Sequence, residues 1–159
     1  MDRLWSPWRN KYVADNSAAS ACVFCDIQSD AAKDEENFVV HRAQHNFIVL
    51  NIHPYTTGHL LIVPYEHIGQ LDETPKQTTD ELMDLAKRSQ SVLQEVYRPR
   101  GFNLGMNLGA AAGAGIQDHL HLHIMPRWIG DTNFMTTVAE TRVLPEDLST
   151  TYKKLRGKW

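Results

Sequence analysis

Residues 118–128 read DHLHLHIMPRW, with histidine at 119, 121 and 123 and Leu120, Leu122 and Ile124 filling the gaps. Strict alternation of polar and apolar side chains marks a half-buried strand, where successive side chains point to opposite faces. The spacing predicts a strand with all three imidazoles on one face, roughly 6–7 Å apart, and the aliphatic side chains in a core on the other. The chain has 8 histidines in 159 residues, so three on one line is a concentration. Crowding titratable rings together is costly without a purpose. Two chemistries fit the line: chelation of a catalytic metal by imidazoles, or a histidine nucleophile whose neighbours orient it and bind an anion.

The residues just before the line favour an anion. GAAAGAGIQ (109–117) is rich in small residues that let the backbone turn tightly, and backbone N–H groups in such a turn can form an anion-binding nest. GFNLGMNLG (101–109) alternates Phe102, Leu104, Met106 and Leu108 with Asn103, Gly105 and Asn107, which predicts another half-buried strand. Asn107 would lie on its polar face near the loop, able to donate and accept hydrogen bonds. Glycine, asparagine and histidine together suit a phosphate better than a carbonyl substrate.

Working outward, NFVVHR (37–42) and NFIVLNI (46–52) read as strands joined by a turn at residues 43–45. HPYTTGH (53–59) is a turn with Pro54 and Gly58 as breakers, and HLLIVPY (59–65) is a buried strand. Thr78 and Glu81 have capping-box spacing. Leu82, Leu85, Ser89, Val92 and Val96 follow at helical intervals until Pro99 closes the pattern. A second helix is predicted from about Pro145 to Lys154. The segment up to about Ala32 reads as irregular, apart from the aromatic-rich LWSPWRNKY (4–12) and the cysteine pair. Short turns between successive strands imply a mostly antiparallel sheet and an α+β class with two main helices in one domain.

Composition narrows the function. Hydrophobic residues make up 42% and charged residues 22% of the chain, as in ordinary globular proteins. A net charge of −3 argues against bulk nucleic-acid or membrane partners, and the basic tail YKKLRGKW reads as a solvated helix end. No apolar run is long enough to span a bilayer. The opening MDRLWSPWRNKYV has no apolar signal core, which gives a cytoplasmic reading. Cys22 and Cys25, the only cysteines, form a C-x-x-C that is either a metal pair or a redox pair. The preceding ADNSAASA reads as a loop, which disfavours a redox motif. Two thiolates alone do not complete a zinc site.

The line His119-Leu-His-Leu-His-Ile-Met resembles the motif of the histidine triad (HIT) family. NIHPYTTGHLLIVPYEHI (51–68) is similar to the family's strand–turn segment, and NLGAAAGAGIQDHLHLH (107–123) to its phosphate loop running into the triad. LWSPWRNKY and PRWIGDTNFM (126–135) resemble a subgroup containing bacterial diadenosine tetraphosphate phosphorylases. The resemblance covers most of the chain and implies one HIT domain over 1–159, with 1–32 an extension carrying the cysteine pair. It implies His121 as nucleophile toward an α-phosphorus, His123 holding phosphate oxygens, and His59 near the phosphate and leaving group. Asn51 and Ile52 fall where the family contacts ribose and base; Asn107, Gly113 and Gly115 fall where it contacts phosphate. Asn51 stands where aspartate is frequent, and Ile116-Gln117-Asp118 departs from the usual residues before the triad. The resemblance also implies structural zinc held by Cys22, Cys25, His67 and His119, with no catalytic metal or organic cofactor. The implied partner is a small nucleotide, and the implied assembly a homodimer or a dimer of dimers. Nucleoside phosphoramidate cleavage and non-catalytic nucleotide binding are the alternatives.

Overall fold

Two runs, Asn46–Leu50 and Leu60–Pro64, are buried at every position. Strands buried on both faces belong in the middle of a sheet. In the computed structural model, which describes residues 22–132, Met135 and residues 143–159, they do so. The aromatic-rich segment 4–12, and Asn133 and Phe134 of the 126–135 segment, lie outside the described residues. The strands are β1 (Val39–Arg42), β2 (Asn46–Leu50), β3 (Leu60–Pro64), β4 (Gly101–Gly105) and β5 (Leu122–Arg127). They form one five-stranded sheet in the order β1-β2-β3-β5-β4, antiparallel throughout. The helices are α1 (Val23–Ser29), α2 (Lys76–Tyr97) and α3 (Leu148–Leu155). The α+β expectation holds.

The sheet separates two apolar clusters. On one face Ile48, Leu50, Leu60, Ile62, Leu122 and Ile124 pack against Leu82, Leu85, Val92 and Leu93 of α2 and Leu155 of α3. Burying each such side chain stabilises the fold by about 1.5–3 kcal/mol. On the other face Phe47, Val49, Leu61 and Val63 pack against Phe24 of α1. The histidines belong to this second face, because His123 pairs directly with Leu61.

Four boundaries differ from the sequence reading. The helix predicted from Thr78 starts at Lys76, with Pro75 as N-cap, and Thr78 donates its backbone N–H to Pro75. Glu81 closes no capping box. Its carboxylate accepts the N–H groups of Gln44 and His45 at 3.0 and 2.7 Å and Asn46 Nδ2 at 2.8 Å, tying the β1–β2 turn to the helix. The second helix starts at Leu148 rather than Pro145, where Asp147 caps it by accepting the Thr150 N–H at 2.7 Å. The cysteine segment, read as irregular, is the short helix α1. The strand predicted over 101–109 pairs only through Gly105; Phe102 and Met106 still pack on the core, while Leu104 and Leu108 are exposed at the sheet edge.

The histidine line also starts its ladder late. β5 begins at Leu122, so His119 and His121 precede the pairing with β3. The backbone there is held differently, by the Leu120 N–H donated to the Ile68 carbonyl at 2.7 Å.

Candidate active site

His119, His121 and His123 are 0%, 7% and 9% exposed. Buried imidazoles need partners for their ring nitrogens, and those partners fix the tautomers. The Pro64 carbonyl accepts from His119 Nε2–H at 2.8 Å, so His119 carries its lone pair on Nδ1. The His119 carbonyl in turn accepts from His121 Nδ1–H at 2.9 Å, which leaves the lone pair of His121 on Nε2. His59 Nδ1 accepts the Tyr55 backbone N–H at 3.1 Å, so His59 Nε2–H donates to His123 Nδ1 at 2.9 Å. His123 must then carry its remaining proton on Nε2. That nitrogen is a buried N–H with no hydrogen-bond partner among the described residues.

The rings touch in sequence. Centroids lie 4.9 Å apart for His121–His123, 5.1 Å for His59–His123 and 5.0 Å for Tyr55–His59. The 4.9 Å is closer than the spacing of an ideal strand. His59 reaches this group because Gly58 turns the chain in the left-handed region, at φ +76°. A Cβ on Gly58 would also lie 3.1 Å from Leu93 Cδ2.

Burial lowers the pKa of His121, an effect opposed in part by its bond to the His119 carbonyl. For His123, burial and the neighbouring His121 depress the value from the ordinary 6.5 to about 4. Both rings are therefore neutral at pH 7. An unfolded chain binds the His123 proton near pH 6.5 and the folded chain only near 4. Its contribution is fully present above the unfolded value and is lost as pH falls toward the folded one. The unfolding temperature is expected to drop between pH 6.5 and 4, and His123→Asn to reduce that slope. Identical slopes in the two proteins would contradict the assignment.

His119 lies on the same face as His121 but turns to different partners. Its Nδ1 lies 3.2 Å from Cys22 Sγ and 3.7 Å from Cys25 Sγ, and Cys25 Sγ lies 3.3 Å from His67 Nδ1. The four ligand atoms lie within 4.8 Å of one another. Tetrahedral zinc with bonds of about 2.3 Å to sulfur and 2.0–2.1 Å to nitrogen separates its ligand atoms by about 3.3–3.8 Å. Donor set and spacing both fit. Among the described residues this is the group able to hold an ion; the three-histidine line is not. The alternative of a catalytic metal chelated by His119, His121 and His123 has no geometric support, because His119 has neither nitrogen to share: Nε2–H is donated to the Pro64 carbonyl and Nδ1 turns to the thiols.

The remaining predicted residues are less tightly gathered. Asn51 is half-buried; its Nδ2 donates to His59 Nδ1 at 3.4 Å and its Oδ1 accepts the His53 N–H at 2.9 Å. Ile52 is 57% exposed and borders a groove of about 420 Å³ with Pro54 and residues 144–148. Asn107 reaches the Gly113 carbonyl at 3.5 Å. Gly113 adopts φ +83°, as its place in a tight turn requires, but its N–H is donated to Ala110 at 2.9 Å. In this conformation the Gly113 N–H closes the turn rather than facing outward. Gly115 is half-buried beside it. Sequence reasoning passed over Phe24 and Tyr55. Phe24 stood in plain view between the cysteines, the one aromatic in that motif.

The HIT domain model matches residues 32–128, more than half of the chain. The chain belongs to the HIT family. A relative, the AP-4-A phosphorylase of Mycobacterium tuberculosis, is 38% identical over 167 aligned residues, covering 100% of this chain and 85% of that one. The adenosine 5′-monophosphoramidase of Saccharomyces cerevisiae is 28% identical, over 74% of this chain and 69% of the yeast protein. Among solved structures, a zinc-bound histidine triad family protein from Mycobacterium smegmatis superposes with a TM-score of 0.70. It is 28% identical over 89% of this chain and 94% of its own. No helix among the described residues of this HIT protein is long and apolar enough to cross a membrane.

Proposed function

We propose that this HIT protein is a nucleotide-binding enzyme that cleaves dinucleoside polyphosphates, with His121 as the nucleophile. The observation that carries the reading is the bond from His121 Nδ1–H to the His119 carbonyl, which leaves a lone pair on Nε2 of a neutral, buried ring. The Nε2 pair attacks an α-phosphorus, forming a phosphorus–nitrogen bond. The bond from that phosphorus to the bridging oxygen breaks, and its electrons leave with the rest of the polyphosphate. For diadenosine tetraphosphate the leaving group is ATP and AMP stays on His121. An oxygen of phosphate or water then attacks the phosphorus, the phosphorus–nitrogen pair returns to Nε2, and ADP or AMP departs.

Charge that develops on the phosphoryl oxygens meets the Nε2–H of His123, a donor already desolvated and fixed by His59. His59 lies near the leaving group in this scheme. Asn51 and Ile52 contact ribose and base; Asn107, Gly113 and Gly115 border the phosphates. Cys22, Cys25, His67 and His119 hold zinc, which when bound supplies a structural tie between α1 and the sheet. This reading assigns residues 1–32 to an extension of one HIT domain. It places the protein in the cytoplasm, where the cysteine pair stays reduced, as a homodimer or a dimer of dimers.

The 38% identity to a phosphorylase over the full chain favours a dinucleotide substrate and phosphate as acceptor. The yeast relative favours a second reading, nucleoside phosphoramidate cleavage, which uses the same nucleophile and a different leaving group. Incubation with diadenosine tetraphosphate, with and without inorganic phosphate, separates the possibilities. We expect ADP, and ATP beyond one equivalent per chain, only when phosphate is present. AMP in its absence would make the enzyme a hydrolase, and no cleavage in either arm would refute the dinucleotide reading.

A further inference from the structure

Phe24 sits inside the C-x-x-C segment, yet its ring turns inward and is 4% exposed. It meets His119 edge-on at 5.3 Å and His121 at 5.2 Å with the planes tilted by 57°. It also belongs to the buried cluster of Val39, Phe47, Val49, Leu61 and Val63. The backbone that carries it is held at both ends, since Cys22 and Cys25 approach His119 and His67. Resting on the assignment of His121 as nucleophile, we infer that Phe24 is a positioning residue that sets the plane of the His121 ring from the metal-holding turn.

The need for such a residue follows from the geometry of His121. One hydrogen bond, from Nδ1–H to the His119 carbonyl, fixes the direction of that bond. It does not fix rotation of the ring about the N–H···O line. Two surfaces limit that rotation, His123 at 4.9 Å and 61° and Phe24 at 5.2 Å and 57°. Nε2 swings on the far side of the ring, so a small rotation moves the attacking lone pair away from phosphorus. In-line attack tolerates little of this: a misplacement of about 1 Å costs on the order of 10²-fold in rate. His119 and Phe24 both depend on the turn that carries the cysteines, so the donor cluster and the nucleophile share one support.

The test uses the zinc-loaded full chain with Phe24→Leu, which keeps an apolar side chain in the cluster but removes the flat ring. Phe24→Tyr retains the ring, and Val23→Ala alters an exposed neighbour in the same motif. With diadenosine tetraphosphate as substrate, Phe24→Leu is expected to lose on the order of 10²-fold in kcat while KM stays within about threefold. Zinc per chain should match wild type. The Nδ1–H resonance of His121 in ¹⁵N-histidine spectra should be sharp in wild type and broadened in Phe24→Leu. Phe24→Tyr should recover most of kcat and Val23→Ala should behave as wild type. If Phe24→Leu does not fold, Phe24→Met replaces it with the same expectations.

A merely structural Phe24 would lower the unfolding temperature but leave kcat per folded chain and the resonance unchanged, and that result overturns the inference. Absence of a nucleotidyl adduct in the wild type would instead overturn the assignment of His121. An adduct that forms as fast in Phe24→Leu as in wild type overturns the positioning role alone.

Discussion

His121→Asn is expected to lose on the order of 10⁴-fold or more in kcat, because the covalent route disappears with the nucleophile. The size of the loss is diagnostic. Were His121 only a hydrogen-bonding residue, its removal would cost roughly 1–3 kcal/mol, equivalent to about 5- to 150-fold in rate. Asparagine is smaller than histidine and can still donate to the His119 carbonyl, so the backbone that His121 now closes need not open. Nucleotide binding should largely survive, since His123, His59 and Asn51 keep their own network. The measurement is steady-state turnover of diadenosine tetraphosphate alongside calorimetric titration with a nucleotide. Turnover within tenfold of wild type would refute the role.

Cys22→Ser is expected to cost on the order of 4 kcal/mol of stability, the range associated with loss of a structural metal. At about 2–4 °C per kcal/mol for a chain of this size, the unfolding temperature should fall by roughly 10 °C. The substitution isolates the metal. Cys22 is the N-cap of α1 and makes no side-chain capping bond, whereas serine is among the preferred N-caps. The helix start should therefore gain slightly, and any loss comes from the donor set. Metal analysis of protein purified without chelator should find about one zinc per wild-type chain and much less in the variant. Wild-type protein that carries no zinc when purified without chelator, or zinc-loaded wild-type protein with the same unfolding temperature as Cys22→Ser, would contradict the zinc site.

The parts legible in the sequence were those set by local period. Alternation placed the three histidines on one face, and the 3.6-residue period found the buried stripe of α2 through Leu82, Leu85, Ser89 and Val92. What period cannot see is a partner far along the chain. Glu81 has capping-box spacing to Thr78, but its carboxylate is used 36 residues away at the His45 N–H. The helix instead starts at the residue after Pro75. The late start of β5 has the same origin, because the Leu120 N–H is taken by Ile68 rather than by a neighbouring strand. The histidine pattern named the candidate site residues but not their protonation. Which nitrogen of His121 is free depends on the carbonyl of His119, and which nitrogen of His123 carries a proton depends on the backbone of Tyr55 acting through His59. The candidate metal site was half legible: the cysteines were plain, and the family resemblance supplied His67 and His119. The geometry adds the reason His119 can serve, since its Nε2–H is committed to Pro64 and its Nδ1 turns to the thiols.

The covalent step can be observed directly. The enzyme is mixed with diadenosine tetraphosphate without phosphate and quenched within one turnover in denaturant at alkaline pH, where a phosphorus–nitrogen bond survives. After digestion, mass spectrometry of the peptide containing residues 118–128 should show one added AMP on His121, lost on brief acid treatment and absent from His121→Asn. The same peptide unmodified, while ATP is released at the wild-type rate, would contradict a histidine nucleophile.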